Sequence, residues 1–205
     1  MRTIIDIKET IFHEFGHLIV YILANKRKKT HLGSIIHIQM GLYKNLISPN
    51  KNLYYYERLK LNNHIYENSK NIERTLYWVI LQFTGCLFES EYDKSDFDKL
   101  FCTQLTCHGK KDYDNLYYFN TKSSFKISND HFDRIKKSFL NILKNHKIFE
   151  RTELYLNHFL NVFNGSEHIL MCEDDIKTLL EEYAVTNDFA DDVAIFVNKE
   201  SKNFC

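Results

Sequence analysis

The chain has 205 residues, 44% hydrophobic and 15% aromatic, with one proline and six glycines, which is enough apolar mass for one packed domain and leaves no linker or low-complexity stretch. Lys plus Arg total 27, as do Asp plus Glu, so no global field draws nucleic acid or an anionic membrane. Lys26-Arg27-Lys28-Lys29, the one dense basic run, reads as a solvated helix end rather than a phosphate-binding patch.

Asp6, Lys8 and Glu9 break up the N-terminus, so no signal-peptide pattern is present. The longest apolar stretches, Leu18 to Ala24 and Leu76 to Leu81, fall well short of the roughly 20 residues that span a bilayer. A cytoplasmic protein is expected. The five cysteines, Cys86, Cys102, Cys107, Cys172 and Cys205, are odd in number and widely spread, which predicts reduced thiols rather than a disulfide framework.

From Ile4 to Ala24 the apolar positions recur at helical spacing, predicting a buried helix. His31 to Met40 alternates in part through Ile36, Ile38 and Met40 and reads as a short strand punctuated by Gly33 and Gly41. Ser48-Pro49-Asn50 is a turn, and the tyrosine-rich piece after it, Tyr54-Tyr55-Tyr56 included, is compatible with either a half-buried strand or a helix surface. A second long helix from Asn71 to about Tyr92 is apolar on most of its circumference and therefore central, with Tyr77, Trp78 and Phe83 in the core. Asp112 to Phe119 starts another helix beyond Gly109, and further helical patterns cover 129–145, 150–163, 173–184 and 187–198. Ser128 or Asn129 suits the cap of the first of these, and Glu173 with Asp174 the positive start of the third. The class is mainly α with a small β-sheet.

His13-Glu14-Phe15-Gly16-His17 is an H-E-x-x-H sequence on the first helix. Residues four apart stack on one helix face, so both imidazoles reach one cation, and Glu14 points toward the water that completes the metal shell. Zinc with three protein ligands keeps an open position, acidifies water and polarises a carbonyl, and Glu14 then moves the proton from water to the leaving amine. Random shuffling of this composition gives such a match in about 3 of 100 chains, and a charged Glu in an apolar helical run is costly without a partner that a metal provides. Gly16 costs the helix about 1 kcal/mol relative to alanine, which predicts close approach of another element above the metal. The third ligand stays open on the residues alone: Asp112 after the glycine turn, Glu89 in an E-x-x-x-D with Asp93 as in the thermolysin-like class, or a histidine such as His108 or His131.

Thr10 to Val20 around this motif resembles the H-E-x-G-H helix of the FtsH-type zinc metallopeptidases and their stand-alone relatives. Thr84-Gly85-Cys86-Leu87-Phe88-Glu89 is similar to that family's A-G-x-x-A-E helix, although Cys86, Leu87 and Phe88 replace its small residues. Gly109-Lys110-Lys111-Asp112 resembles the glycine-led turn whose Asp is the third zinc ligand, and Leu154 to Leu180, through Met171-Cys172-Glu173-Asp174-Asp175-Ile176, resembles its closing helix pair. The resemblance implies a zincin-like helical metallopeptidase domain over 1–205, with the metal site in 1–125 and a helical part in 126–205. It implies one zinc on His13, His17 and Asp112, with Glu14 as general acid/base, acting on a peptide or protein; the balanced charge and the short apolar stretches lead us to expect no nucleic-acid or membrane partner, and a partner protein stays open. It also implies that the strand near Ser34 to Met40 is the edge along which a substrate peptide pairs. No ATPase module is expected ahead of the motif, so action is ATP-independent and processive degradation of folded proteins is not implied. Two alternatives stand beside this reading: a thermolysin-like hydrolase with Glu89 as third ligand, and a non-catalytic protein-binding module on the same fold.

Among lesser signals, Cys102-x4-Cys107-His108 lacks the C-x2-C pair of a structural zinc site. His108 reads as a loop histidine with the option of orienting the metal-bound carboxylate. Asp96, Asp98 and Asp114 read as solvated charges, Asp114 being a reserve ligand.

Overall fold

The computed structural model describes residues 4–44, 51–61, 71–105, 107–122, 126–163 and 168–204. Helix α1 spans Ile4–Asn25 and α2 spans Ile72–Asp93, close to the predicted bounds. Every residue of α2 from Thr75 to Glu89 is buried, as the apolar circumference predicted. Asn71 caps it by accepting from the Arg74 N–H at 3.1 Å, and Lys94 ends it in the left-handed conformation.

The two helices cross face to face. A Cβ on Gly16 would lie 2.7 Å from the Thr84 carbonyl oxygen and 2.9 Å from Phe88, so the hydrogen atom at this position is what lets the backbones meet. Phe12 then stacks obliquely between Phe88 and Tyr92, with centroids 5.3 and 5.0 Å away.

Around this pair stand α3 (Phe97–Leu100), α4 (Lys110–Lys122), α5 (Asn129–Asn145), α6 (Ile148–Phe163), α7 (Glu173–Tyr183) and α8 (Asn187–Ser201). Ser128 is the cap of α5, accepting from the His131 N–H at 3.2 Å. Side chains of α1, α2, α4, α5, α6, α7 and α8 merge in one apolar cluster. The basic run at 26–29 closes against acidic neighbours, Lys26 with Glu181, Arg27 with Asp191 and Lys29 with Glu73 at 2.7 Å. None of the helices among the described residues is long and apolar enough to cross a membrane.

Strands β1 (Gly33–Lys44), β2 (Lys51–Leu61) and β3 (His168–Cys172) form an antiparallel sheet in the order β2-β1-β3. Three expectations change here. The strand near Ser34 to Met40 is not the sheet edge: β1 lies between β2 and β3, and β3 pairs with it from His37↔Cys172 to Gly41↔His168, so the backbone groups of 37–41 that face β3 are already taken. Gly41 does not end the strand but sits inside it, paired with Tyr54. The link before α7, expected to join two helices directly, contains β3. The tyrosine run forms part of β2; the Ser48-Pro49-Asn50 turn lies outside the described residues.

The expectation of reduced thiols is also corrected. Cys102 and Cys107 are joined by a disulfide, with Cα atoms 6.0 Å apart. The segment between α3 and α4 brings them together, which their spacing of five did not announce. The pair is thereby removed from any thiolate metal site. Cys86 is a free, buried thiol, and burial pushes its pKa far up, so it stays protonated and unreactive.

Candidate metal centre

His13 and His17 lie one turn apart on the buried face of α1, where it meets α2. Their Nε2 atoms are 3.1 Å apart. Asp112, in the first turn of α4, brings Oδ2 to 3.5 Å from His13 Nε2 and 3.4 Å from His17 Nε2. Among the described residues these form a group of metal-ligand type, with donor atoms all within 4.8 Å of one another.

The outer edges of both rings decide what the inner edges offer. His17 Nδ1 donates to the Leu81 carbonyl oxygen at 2.7 Å, and His13 Nδ1 donates to Glu89 Oε2 at 2.9 Å. A carbonyl and a carboxylate only accept, so each neutral ring carries its proton on Nδ1 and turns a lone pair on Nε2 inward. With both rings neutral, two lone pairs and a carboxylate oxygen converge with no hydrogen-bond donor among them, an arrangement that calls for a cation, either a metal ion or a proton on Nε2.

Its dimensions suit zinc. Tetrahedral donors 2.0–2.2 Å from a zinc ion stand about 3.4 Å from one another, and the observed separations are 3.1, 3.4 and 3.5 Å. The surroundings favour positive charge between the rings: burial lowers the His13 pKa, yet hydrogen bonds to Asp112 and Glu89 and the charge of Glu14 raise it to about 10, so without a metal a proton on Nε2 takes that place. Burial would raise the Asp112 carboxyl, but the two imidazoles hold it well below the ordinary carboxylate range.

Gly85 completes the floor. A Cβ there would lie against His17 Nε2 and 2.5 Å from His13 Nε2. The glycine opens the space into which both rings turn. Gly109, similarly, leaves room for the Cys86 sulfur, which a Cβ there would overlap, so the start of α4 can seat on α2 and deliver Asp112.

Of the candidate ligands, the structure brings together His13, His17 and Asp112. Glu89 faces the opposite edge of His13: one oxygen accepts from His13 Nδ1, and the other from His108 Nδ1. Asp114 pairs with Lys110, one helical turn back on α4. His131 bonds Glu200 at 3.2 Å. Glu14, half-buried beside His13, lies near enough for its charge to act on both imidazoles.

The sequence did not show the part of Leu81, a backbone oxygen, or the space-giving role of Gly85. It held one usable signal for His108: a glutamate deep in an apolar helix requires donors, and His13 supplies just one. Comparison with protein-family models, curated proteins and solved structures gives no match.

Proposed function

We propose that the chain is a zinc-dependent metallohydrolase, most simply a peptidase, with His13, His17 and Asp112 as metal ligands and Glu14 as general acid/base. The observation that carries this is the inward convergence of two imidazole Nε2 atoms and one carboxylate oxygen at zinc-like spacing, each ring fixed from behind through Nδ1. A bound zinc ion supplies Lewis-acid polarisation of a carbonyl and lowers the pKa of water to about 7.

The chain's own groups do the rest. Leu81 and Glu89 hold the rings so that Nε2 stays the ligand atom. The Glu14 carboxylate accepts a proton from the attacking water and passes it to the nitrogen of the departing amine, so cleavage ends with a free carboxylate and a free amine. Because Glu14 follows His13 on the same helix, base and ligands are set by one rigid element. A helical, zincin-like metallopeptidase domain of the FtsH-type kind is the family reading that the motif order supports.

The test is metal content and peptide cleavage measured together. Wild-type protein purified without chelator is expected to carry one zinc per chain. His17→Ala and Asp112→Ala lose it, and Glu14→Gln keeps it while cleaving a peptide library at least about 100-fold more slowly. A wild-type protein that takes up no zinc when offered it rules out the proposal.

A further inference from the structure

Glu89 is a buried carboxylate, 1% exposed, at the end of a helical stretch whose residues are all buried from Thr75 onward. Such a charge is stable only with donors on both oxygens. His13 Nδ1 serves Oε2 at 2.9 Å, and His108 Nδ1 serves Oε1. The side chain of His108 is 53% exposed, so the chain His108–Glu89–His13 runs from the surface to the edge of the metal centre.

We propose that His108 is a positioning residue of the zinc site: by binding Glu89 Oε1 it fixes the carboxylate so that Oε2 faces His13 Nδ1, and so holds the His13 ring in the ligating tautomer. The inference rests on the zinc reading of His13, His17 and Asp112. With Oε1 unpartnered, nothing holds the buried carboxylate in the rotation that presents Oε2 to His13 Nδ1.

The segment that carries His108 is built to hold it still. The Gly109 N–H donates to the Leu100 carbonyl at 3.0 Å and the Cys107 N–H to the Gln104 carbonyl at 3.0 Å, while the Cys102–Cys107 disulfide closes the turn. The far end of this segment enters α4, whose first turn bears Asp112. One turn therefore delivers a ligand directly and orients another through Glu89.

The test compares His108→Leu, which keeps bulk without a donor, with His108→Asn, whose amide N–H stands near the position of Nδ1. Zinc affinity is read by chelator competition, and ligand geometry by the visible absorption of the cobalt(II)-loaded protein. Loss of a hydrogen-bond partner of a metal-bound histidine weakens binding about 10- to 100-fold; that loss, with a shifted cobalt spectrum, is expected for His108→Leu. His108→Asn is expected to restore both to near wild type, which a merely stabilising histidine would not require. His108→Gln, whose amide overshoots Glu89 by one bond, is read in place of His108→Leu if the latter does not fold. Wild-type affinity and spectrum in the donor-less or overshooting variant overturn the inference while leaving the zinc site intact. A wild-type protein that binds neither zinc nor cobalt overturns the metal reading beneath it.

Discussion

At the scale of single residues the centre depends on where hydrogen atoms are missing as much as on where ligands stand. Gly85 is the clearest case. An added methyl group would collide with both Nε2 atoms, whereas the helix itself gains, alanine being about 1 kcal/mol better than glycine in a helix interior. Gly85→Ala is therefore expected to abolish zinc uptake while helical circular dichroism stays at the wild-type level. Zinc retained at one per chain in that variant would show that the rings do not use this space. The two histidines and Glu14 were legible because the helical period alone stacks residues four apart. Spacing left Asp112 one candidate among several, since it does not say which carboxylate reaches Nε2, and only the family resemblance singled it out. Glu89 shows the limit: its type and helix were right for a ligand, but whether it meets Nε2 or Nδ1 depends on how α2 is rotated against α1, and no local pattern encodes that rotation.

At the scale of elements, long helices declared themselves and short connections did not. The bounds of α1, α2, α5 and α8 follow from apolar periodicity and from caps such as Ser128 and Thr186, both local properties. β3 is five residues long, runs straight into α7 and owes its existence to β1, which lies more than 120 residues earlier. The disulfide turn between α3 and α4 is equally non-local in consequence, since it sets the entry of α4. A bridge that closes so short a loop contributes about 2 kcal/mol in the chain-entropy account. Reductant is accordingly expected to lower the melting temperature of the wild type by several degrees and to leave the Cys102→Ser, Cys107→Ser double variant unmoved. Equal sensitivity of the two proteins would mean that the bridge does not form in solution.

At the scale of the whole molecule, the apolar cluster joins helices from both halves of the chain, and one polar latch helps tie α8 to α5. Glu200, buried near the end of α8, accepts from His131 Nε2 at 3.2 Å, Arg134 at 3.1 Å and Asn203 at 3.2 Å. Burial would raise its carboxyl, but those donors hold it below the ordinary value of 4.5. A carboxyl bound more tightly as the anion in the folded state stabilises the fold above its unfolded value, and the contribution fades as pH falls through the depressed one. His131 has the same sign by a different route. Burial lowers its pKa below 6.5 even though Glu200 opposes the shift, so protonation favours the unfolded chain as pH drops. Zinc-free wild type is thus expected to melt above Glu200→Gln at neutral pH and to lose that advantage as the pH falls below 4.5. The difference between the two proteins isolates the latch from the candidate metal centre, whose residues both share. A melting-temperature difference that stays constant across that range would show that the Glu200 carboxylate is held no more tightly in the folded chain than in the unfolded one.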